Sequence, residues 1–296
     1  MRLAIDATAY GPVPGGAGLR MRALAARLAM RHRVEWFAAR DALASLAPEG
    51  VAVTTLDVAA ARPVRRFLAQ RHRVVAAAVV ADHYAALTGA PVVLTLHDRG
   101  GPWWRRALIR RGFARAAAVV AVSKTVARAW GVDATVIPNG VAAPATAVEP
   151  SAHLLLCDPG PAHKDAPTAR AAAHATGRAL REVGRGVAWL DHGELRDELA
   201  RAAVVLCPAR DEGFGMVPLE ALAAGRPVVA SDIAAHREIL GEHAWFAPPG
   251  DVGAWSRAIE QALDAEAPRL ARARAHAATF SWDAAVAALE AVLVRV

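Results

Sequence analysis

Residues Val204 to Asp232 read VVLCPARDEGFGMVPLEALAAGRPVVASD, and they contain one complete strand–helix–strand unit. VVLC is an apolar run of strand length, and VVA (Val228–Ala230) is a second. Between them lies a glycine-bearing loop, Gly213-Phe214-Gly215. Pro218 suits a helix start, where its fixed φ is already helical and its missing N–H costs little. Gly225 ends that helix, because glycine accepts the left-handed C-terminal conformation. The helix start offers unpaired backbone N–H groups and a partial positive charge, a ready place for phosphate oxygens. Glu212 stands before the loop and Glu220 lies in the first turns of the helix. Two carboxylates flanking an anion site are suited to accept hydrogen bonds from sugar and ribose hydroxyls. A capped surface helix with two solvated glutamates fits the same residues.

The same alternation extends through the chain. Leu3–Asp6 is a first strand, followed by a Gly/Pro loop, GPVPGGAG (Gly11–Gly18), and a helix carrying Met21, Leu24 and Leu28 on one face. Further strands are expected at Val34–Phe37, Val51–Thr55, Val74–Val80, Val92–Leu96, Ala117–Val122 and Thr135–Ile137. VAAPATAVEPS (Val141–Ser151) has no period and reads as a linker. A second series follows: Leu154–Cys157, Ala179–Val183, Val187–Leu190, Val204–Cys207, Val228–Ala230 and Trp245–Ala247. Two closing helices place Val252, Trp255, Ile259 and Leu263 on one face, and Trp282, Val286, Leu289 and Leu293 on another. Continuous apolar strands alternating with helices indicate parallel sheets covered on both faces. The expected organisation is two doubly wound domains, residues 1–145 and 146–296, with a ligand cleft between them. The terminal helix has the option of packing back on the first domain.

Composition narrows the function classes. The 296 residues are 55% hydrophobic, but no run approaches the length of a membrane helix. Asp6 interrupts the apolar start too early for a signal peptide, so a soluble cytoplasmic protein is expected. Cys157 and Cys207 each close a strand-like run and read as buried thiols, with no zinc or disulfide spacing. The net charge of +7 is carried almost wholly by scattered arginine; the only lysines are Lys124 and Lys164. A nucleic-acid function is excluded by the lack of stacking platforms and recognised motifs. GPWWRRALIRRGFAR (Gly101–Arg115) is basic with two tryptophans, which suits an interfacial segment. Its arginines nevertheless point all round the helix axis and leave no clean polar face; the alternative is a helix of the N-terminal domain bordering the acceptor cleft.

Residues Asp211 to Asp232 resemble the signature of the family-4-type retaining glycosyltransferases (glycosyl transferases group 1). Glu212, Gly213, Phe214, Gly215, Pro218, Glu220, Ala221, Gly225, Pro227, Ser231, Asp232 and Glu238 all fall in that family's register. The resemblance implies a GT-B fold: α/β, two Rossmann-like doubly wound parallel-sheet domains facing each other across a cleft. It implies a nucleoside-diphosphate-sugar as co-substrate, with no cofactor and no metal, and transfer to an acceptor hydroxyl with retention of configuration. Glu212 would reach the transferred sugar, Phe214 and Gly215 would bring backbone N–H groups to the diphosphate or sugar, with Gly213 and Met216 beside them, and Glu220 would hold the ribose. TLHD (Thr95–Asp98) resembles the motif whose His97 meets the transferring sugar and acceptor, with Asp98 beside it. Gly15, Gly16 and Gly18 sit where the family brings its first loop near donor phosphate and acceptor. AVSK (Ala121–Lys124) and VIPNGV (Val136–Val141) resemble further family segments. Lys164 occupies the place of the family's phosphate-binding lysine.

Two departures stand out. The arginine expected five or six positions before Lys164 is replaced by Asp158 and Pro159, leaving Arg170 and Arg185 as substitutes. The helix usual between Gly184 and GVAWL is missing, which leaves the base open. Both departures admit a second reading, a non-catalytic sugar-nucleotide-binding partner subunit. The acceptor is expected to be a small molecule, a glycan or a lipid-linked species, the last with peripheral contact at the inner membrane surface.

Overall fold

The structure, a computed structural model, describes residues 1–8, 16–39, 47–56, 72–83, 87–101, 103–142, 149–184, 187–188 and 190–296. These form two compact units, Met1–Gly140 with Trp282–Val296, and Val141–Ser281.

The first unit is built on a parallel sheet of β1 (Arg2–Asp6), β2 (Arg33–Ala39), β3 (Ala52–Leu56), β5 (Ala78–Asp82), β7 (Val92–Leu96), β8 (Ala118–Ala121) and β9 (Thr135–Val136), in the order β3-β2-β1-β5-β7-β8-β9. A separate short pair joins β4 (His72–Arg73) to β6 (Leu87–Thr88). Met21, Leu24 and Leu28 of the helix Gly16–Leu28 are buried in one core with Val286, Leu289 and Leu293 of the helix Trp282–Leu293. The expected strand Val74–Val80 is corrected. Val75 is 79% exposed, and the ladder with β1 begins only at Ala78. The strand instead runs on to Asp82, since all five of its residues are buried. Hydropathy placed it too early because it ends in a carboxylate, which His97 satisfies.

The second unit has five parallel strands, β10 (Leu154–Cys157), β11 (Leu180–Val183), β12 (Val204–Cys207), β13 (Val228–Ser231) and β14 (Trp245–Ala247), ordered β11-β10-β12-β13-β14. β12 and β13 are buried along their whole length, as a sheet covered on both faces requires. Trp255 and Ile259 of the helix Val252–Leu263 close one face of the core. The expected strand Val187–Leu190 is also corrected. Val187 is 46% exposed, and among the described residues of the segment the pairing is a single bridge from Ala188 to Val183. The chain then enters the helix His192–Arg201 through a capping box of Asp191 and Glu194.

In each sheet the strand order reverses once, between β1 and β5 in the first and between β10 and β12 in the second. Ligands of open parallel sheets bind at the carboxyl ends of the strands at such a reversal. The loops leaving β10 and β12 carry Lys164 and Glu212; those leaving β5 and β7 carry His83 and His97.

Candidate functional site

The loop after β10 ends in a tight turn, Ala162–Lys164, closed by Asp165 in the left-handed region at φ 45°. Asp165 is buried, and its carboxylate accepts from Arg210 Nη2 at 2.7 Å and from the Gly250 N–H at 3.0 Å. The Arg210 N–H donates to the His163 carbonyl at 2.7 Å. The Ala209 N–H donates to Ser231 Oγ at 2.8 Å. These bonds lash the loop after β10 to the loop after β12, although the two lie far apart in sequence.

Their consequence is a direct pair: Lys164 Nζ donates to Glu212 Oε2 at 2.5 Å, and Glu212 Oε1 accepts from the Gly213 N–H at 3.3 Å. Both side chains are about one-fifth exposed, at 23% and 21%. Burial works to raise the Glu212 carboxyl, but the Lys164 ammonium outweighs it and holds the group below its ordinary value. Burial likewise works to lower Lys164, and Glu212 outweighs it. His236 closes one side, its Nδ1 donating to the Ser231 carbonyl at 3.0 Å. Burial lowers the basicity of that ring, with Glu212 opposing.

The helix Met216–Ala223 starts at Gly215, which sits at φ 88° with no side chain capping the first turn. A Cβ at Gly215 would lie 3.3 Å from both His236 and Pro218, so the position needs glycine for conformation and for space. A helix start without a side-chain cap is the kind of place where anions bind. Phe214 is buried edge-on against Phe280 and anchors the loop, with ring centroids 6.1 Å apart. Met216 is half-buried on the first turn. Glu220, also half-buried, is pushed up to about 7 by burial, with Arg196 opposing. No described residue gives its carboxylate a hydrogen bond.

Arg196, on the helix His192–Arg201, escaped the sequence reading. Its Nε is buried without a hydrogen-bond partner among the described residues. The available signal was its place on the inward side of an amphipathic helix, three and four residues before buried Leu199 and Ala200. As for the expected substitutes for the missing arginine, Arg170 is committed to Glu182 through two bonds of 2.7 Å, and Arg185 lies outside the described residues. Asp158, at φ 51°, packs its backbone against Gly184, where a Cβ would lie 2.8 Å from Asp158 Cα. Cys157 and Cys207 end the adjacent strands β10 and β12, and burial pushes the Cys157 thiol up to about 12. The pair therefore stays protonated and unreactive.

In the first unit, His97 Nε2 lies 2.6 Å from Asp82 Oδ1. Asp98 accepts two bonds from Arg105, at 3.0 and 3.1 Å, and one from the Gly100 N–H at 2.7 Å. It thus ties the helix Trp103–Phe113 to the end of β7. Gly16 opens its helix and is exposed, and Gly18 is buried. Gly15 lies outside the described residues, as does most of the expected linker. Ser123 caps the helix that begins at Lys124, accepting from the Val126 N–H, and Asn139 accepts from the buried Arg20 at 2.9 Å. Among the described residues, no group of three or more His, Cys, Asp or Glu side chains is placed to hold a metal ion. No helix among them is long and apolar enough to cross a membrane.

Two parallel-sheet α/β units of this kind place the molecule among the GT-B glycosyltransferase folds. Sucrose-phosphate synthase from Thermosynechococcus elongatus superposes with a TM-score of 0.79 at 17% identity, covering 98% of each chain. A glycosyltransferase from Rickettsia africae ESF-5 gives 0.73 at 13% identity, over 99% of this chain and 97% of that one. A family model described as Glycosyl transferases group 1 matches residues 141–265, and one described as Glycosyltransferase Family 4 matches residues 14–143. Each model matches less than half of the chain, and between them they make residues 14–265 similar to glycosyltransferases. O-antigen chain mannosyltransferase RfbU of Salmonella typhimurium is 36% identical over 93 residues, 30% of this chain and 25% of that protein. Glycogen synthase of Mycobacterium tuberculosis is 40% identical over 114 residues, 37% of this chain and 27% of that protein. D-inositol 3-phosphate glycosyltransferase of Gordonia bronchialis is 39% identical over 108 residues, 32% of this chain and 22% of that protein. The matched stretches thus span about a quarter of the length of these relatives.

Proposed function

We propose that the chain is a glycosyltransferase that moves a sugar from a nucleoside-diphosphate-sugar to an acceptor hydroxyl, with retention of configuration and without a bound metal. The observation that carries this reading is the Lys164–Glu212 pair, set on the two loops at the strand reversal beside the uncapped start of the helix Met216–Ala223. Lys164 and the first amides of that helix face the diphosphate. Gly213, Phe214, Gly215 and Met216 shape the loop around it. Glu212 accepts from hydroxyls of the transferred sugar and Glu220 from the ribose. Arg196, beside Glu220, supplies a cation in the region where the family's arginine is missing. On the family resemblance, His97 meets the transferred sugar and acceptor, and Gly15, Gly16, Gly18 and Asp98 belong to that side.

The leaving diphosphate takes the acceptor proton on the same face from which it departs, and the protein positions the reactants and stabilises the developing charge. The intact Lys164–Glu212 pair lends no support to a non-catalytic partner subunit. Incubation with UDP-, GDP- and ADP-sugars should release nucleoside diphosphate, and NMR of the product should show the donor's anomeric configuration. EDTA should leave the rate unchanged. An inverted product removes the retaining mechanism, and a rate abolished by EDTA removes the metal-free one.

A lipid-linked acceptor is favoured by one further observation. Arg105 and Arg106 turn inward, to Asp98 and to the Trp130 ring, while Trp103 is 81% exposed and Trp104 43%. The helix therefore presents tryptophans and Arg111 outward, a face suited to an anionic membrane surface. Co-sedimentation with anionic vesicles, lost in Trp103→Ala with Trp104→Ala, tests it. An unchanged bound fraction in that variant excludes this face.

A further inference from the structure

We propose that Asp82 is a positioning residue for His97: it fixes the imidazole as the Nε2–H tautomer and so presents Nδ1 as a hydrogen-bond acceptor toward a substrate hydroxyl. The inference rests on the glycosyltransferase reading for its substrate, but its geometry lies within the first unit.

Asp82 ends β5 and His97 follows β7, two strands paired in parallel register with Asp82 opposite Thr95. The register sets the two side chains at neighbouring strand ends beside the β1–β5 reversal. Asp82 Oδ1 stands 2.6 Å from His97 Nε2, and the side chains are only 5% and 11% exposed. An ionised carboxylate has lone pairs and no proton, so the contact requires the hydrogen on Nε2. A neutral imidazole carries one proton, which leaves Nδ1 with a lone pair. Nδ1 has no hydrogen-bond partner among the described residues and is not one of the polar atoms sealed from solvent. It is therefore open to accept a hydrogen bond from a hydroxyl and cannot donate one to a carbonyl or a phosphate oxygen.

The surroundings hold this arrangement. His83, in the left-handed region at φ 54°, stacks on His97 with ring centroids 5.7 Å apart and planes within 15°. Its Nε2 lies 3.3 Å from Asp98 Oδ1 but makes no hydrogen bond among the described residues. Asp98 is occupied by Arg105 and Gly100 and is not a second partner for His97. His83 is buried against the pair and its ring is held neutral, since burial outweighs Asp98. The stacked ring covers one face of His97, and the bond to Asp82 decides which nitrogen carries the proton. Carboxylates that orient metal-ligating histidines are commonly worth roughly 10- to 100-fold in affinity or activity, and an effect of that order is expected of Asp82 here.

Long-range ¹⁵N–¹H spectra of histidine-labelled full-length protein, with no ligand added, read the tautomer directly. In its neutral form His97 should show protonated Nε2 and bare Nδ1. In Asp82→Asn the amide can donate to Nε2, and Nδ1–H signal should appear. Nucleoside-diphosphate release from UDP-glucose or GDP-mannose, whichever the wild type turns over, should lose roughly 10- to 100-fold in kcat with donor KM little changed. Asp82→Asn added to His97→Ala should cost nothing more. A wild-type His97 protonated on Nδ1 overturns the proposal even if no donor is turned over, and that second failure would count against the glycosyltransferase reading alone. Full additivity of the two substitutions overturns it as well.

Discussion

Replacing Glu220 with glutamine should make the protein more stable above neutral pH while weakening donor binding. Burial holds this carboxyl at about 7 rather than its ordinary 4.5, and no described residue hydrogen-bonds it. Each pKa unit is worth about 1.4 kcal/mol, so the raised value corresponds to about 3 kcal/mol against the charged form. Partial solvent access trims this toward about 2 kcal/mol. The sign follows from proton counting: between the unfolded and folded values the native state binds more protons, so the contribution of this group falls as pH rises. Glutamine does not titrate. Urea unfolding of both proteins should therefore coincide at about pH 4, below the unfolded value, and separate progressively toward about pH 8, with the variant ahead by about 2 kcal/mol and the urea dependence unchanged. Comparing the variant with the wild type cancels Glu212, Asp98 and the other groups that titrate in both. A gap that is flat with pH, or a wild type that gains on the variant, would refute a desolvated carboxyl at this position. Ribose hydroxyls bonded to the carboxylate would offset its burial, so nucleotide binding should release a proton in the wild type and none in the variant.

Other outcomes follow from the same geometry. Lys164→Ala should leave Glu212 buried without its cation, costing about 2 kcal/mol in unfolding, and should lower turnover about a hundredfold; unchanged turnover would remove Lys164 from the reaction. Gly215→Ala forces a left-handed residue against His236 and should cost about 1–2 kcal/mol with a clear loss of donor affinity, read by calorimetry. Asp165→Ala removes the carboxylate shared by Arg210 and the Gly250 amide and should cost about 1–3 kcal/mol. If it leaves donor KM untouched, the loop lashing is structural only.

The strands that form the centres of both sheets were legible because each is a continuous apolar run with two covered faces, as in LLLC and VVLC. Misreadings fell where that pattern is broken. Val74 and Val75 supply β-branched letters outside the ladder, while β5 ends in a charged residue whose partner lies fifteen positions away. Val187 and Ala188 sit beyond an edge strand and lack a second face. At the site, Glu212 and Glu220 were visible from local spacing around the helix start, and Lys164 through its resemblance to the family's phosphate-binding lysine. Their pairing was not, because a bond across forty-eight residues depends on strand order, which periodicity does not encode. Asp82 and Arg196 were hidden for the same reason: each matters through a neighbour brought near by packing.

The most direct test of the donor-site account is a thermal-shift titration of the purified chain with UDP, GDP, ADP, dTDP and their sugars. A ligand at about a hundred times its dissociation constant adds about 2.7 kcal/mol, which should raise the midpoint by several degrees. The account predicts such a shift with at least one nucleotide, reduced or abolished in Glu220→Gln and in Lys164→Ala. No shift with any nucleotide or nucleotide-sugar, or a shift that survives both substitutions, would contradict it.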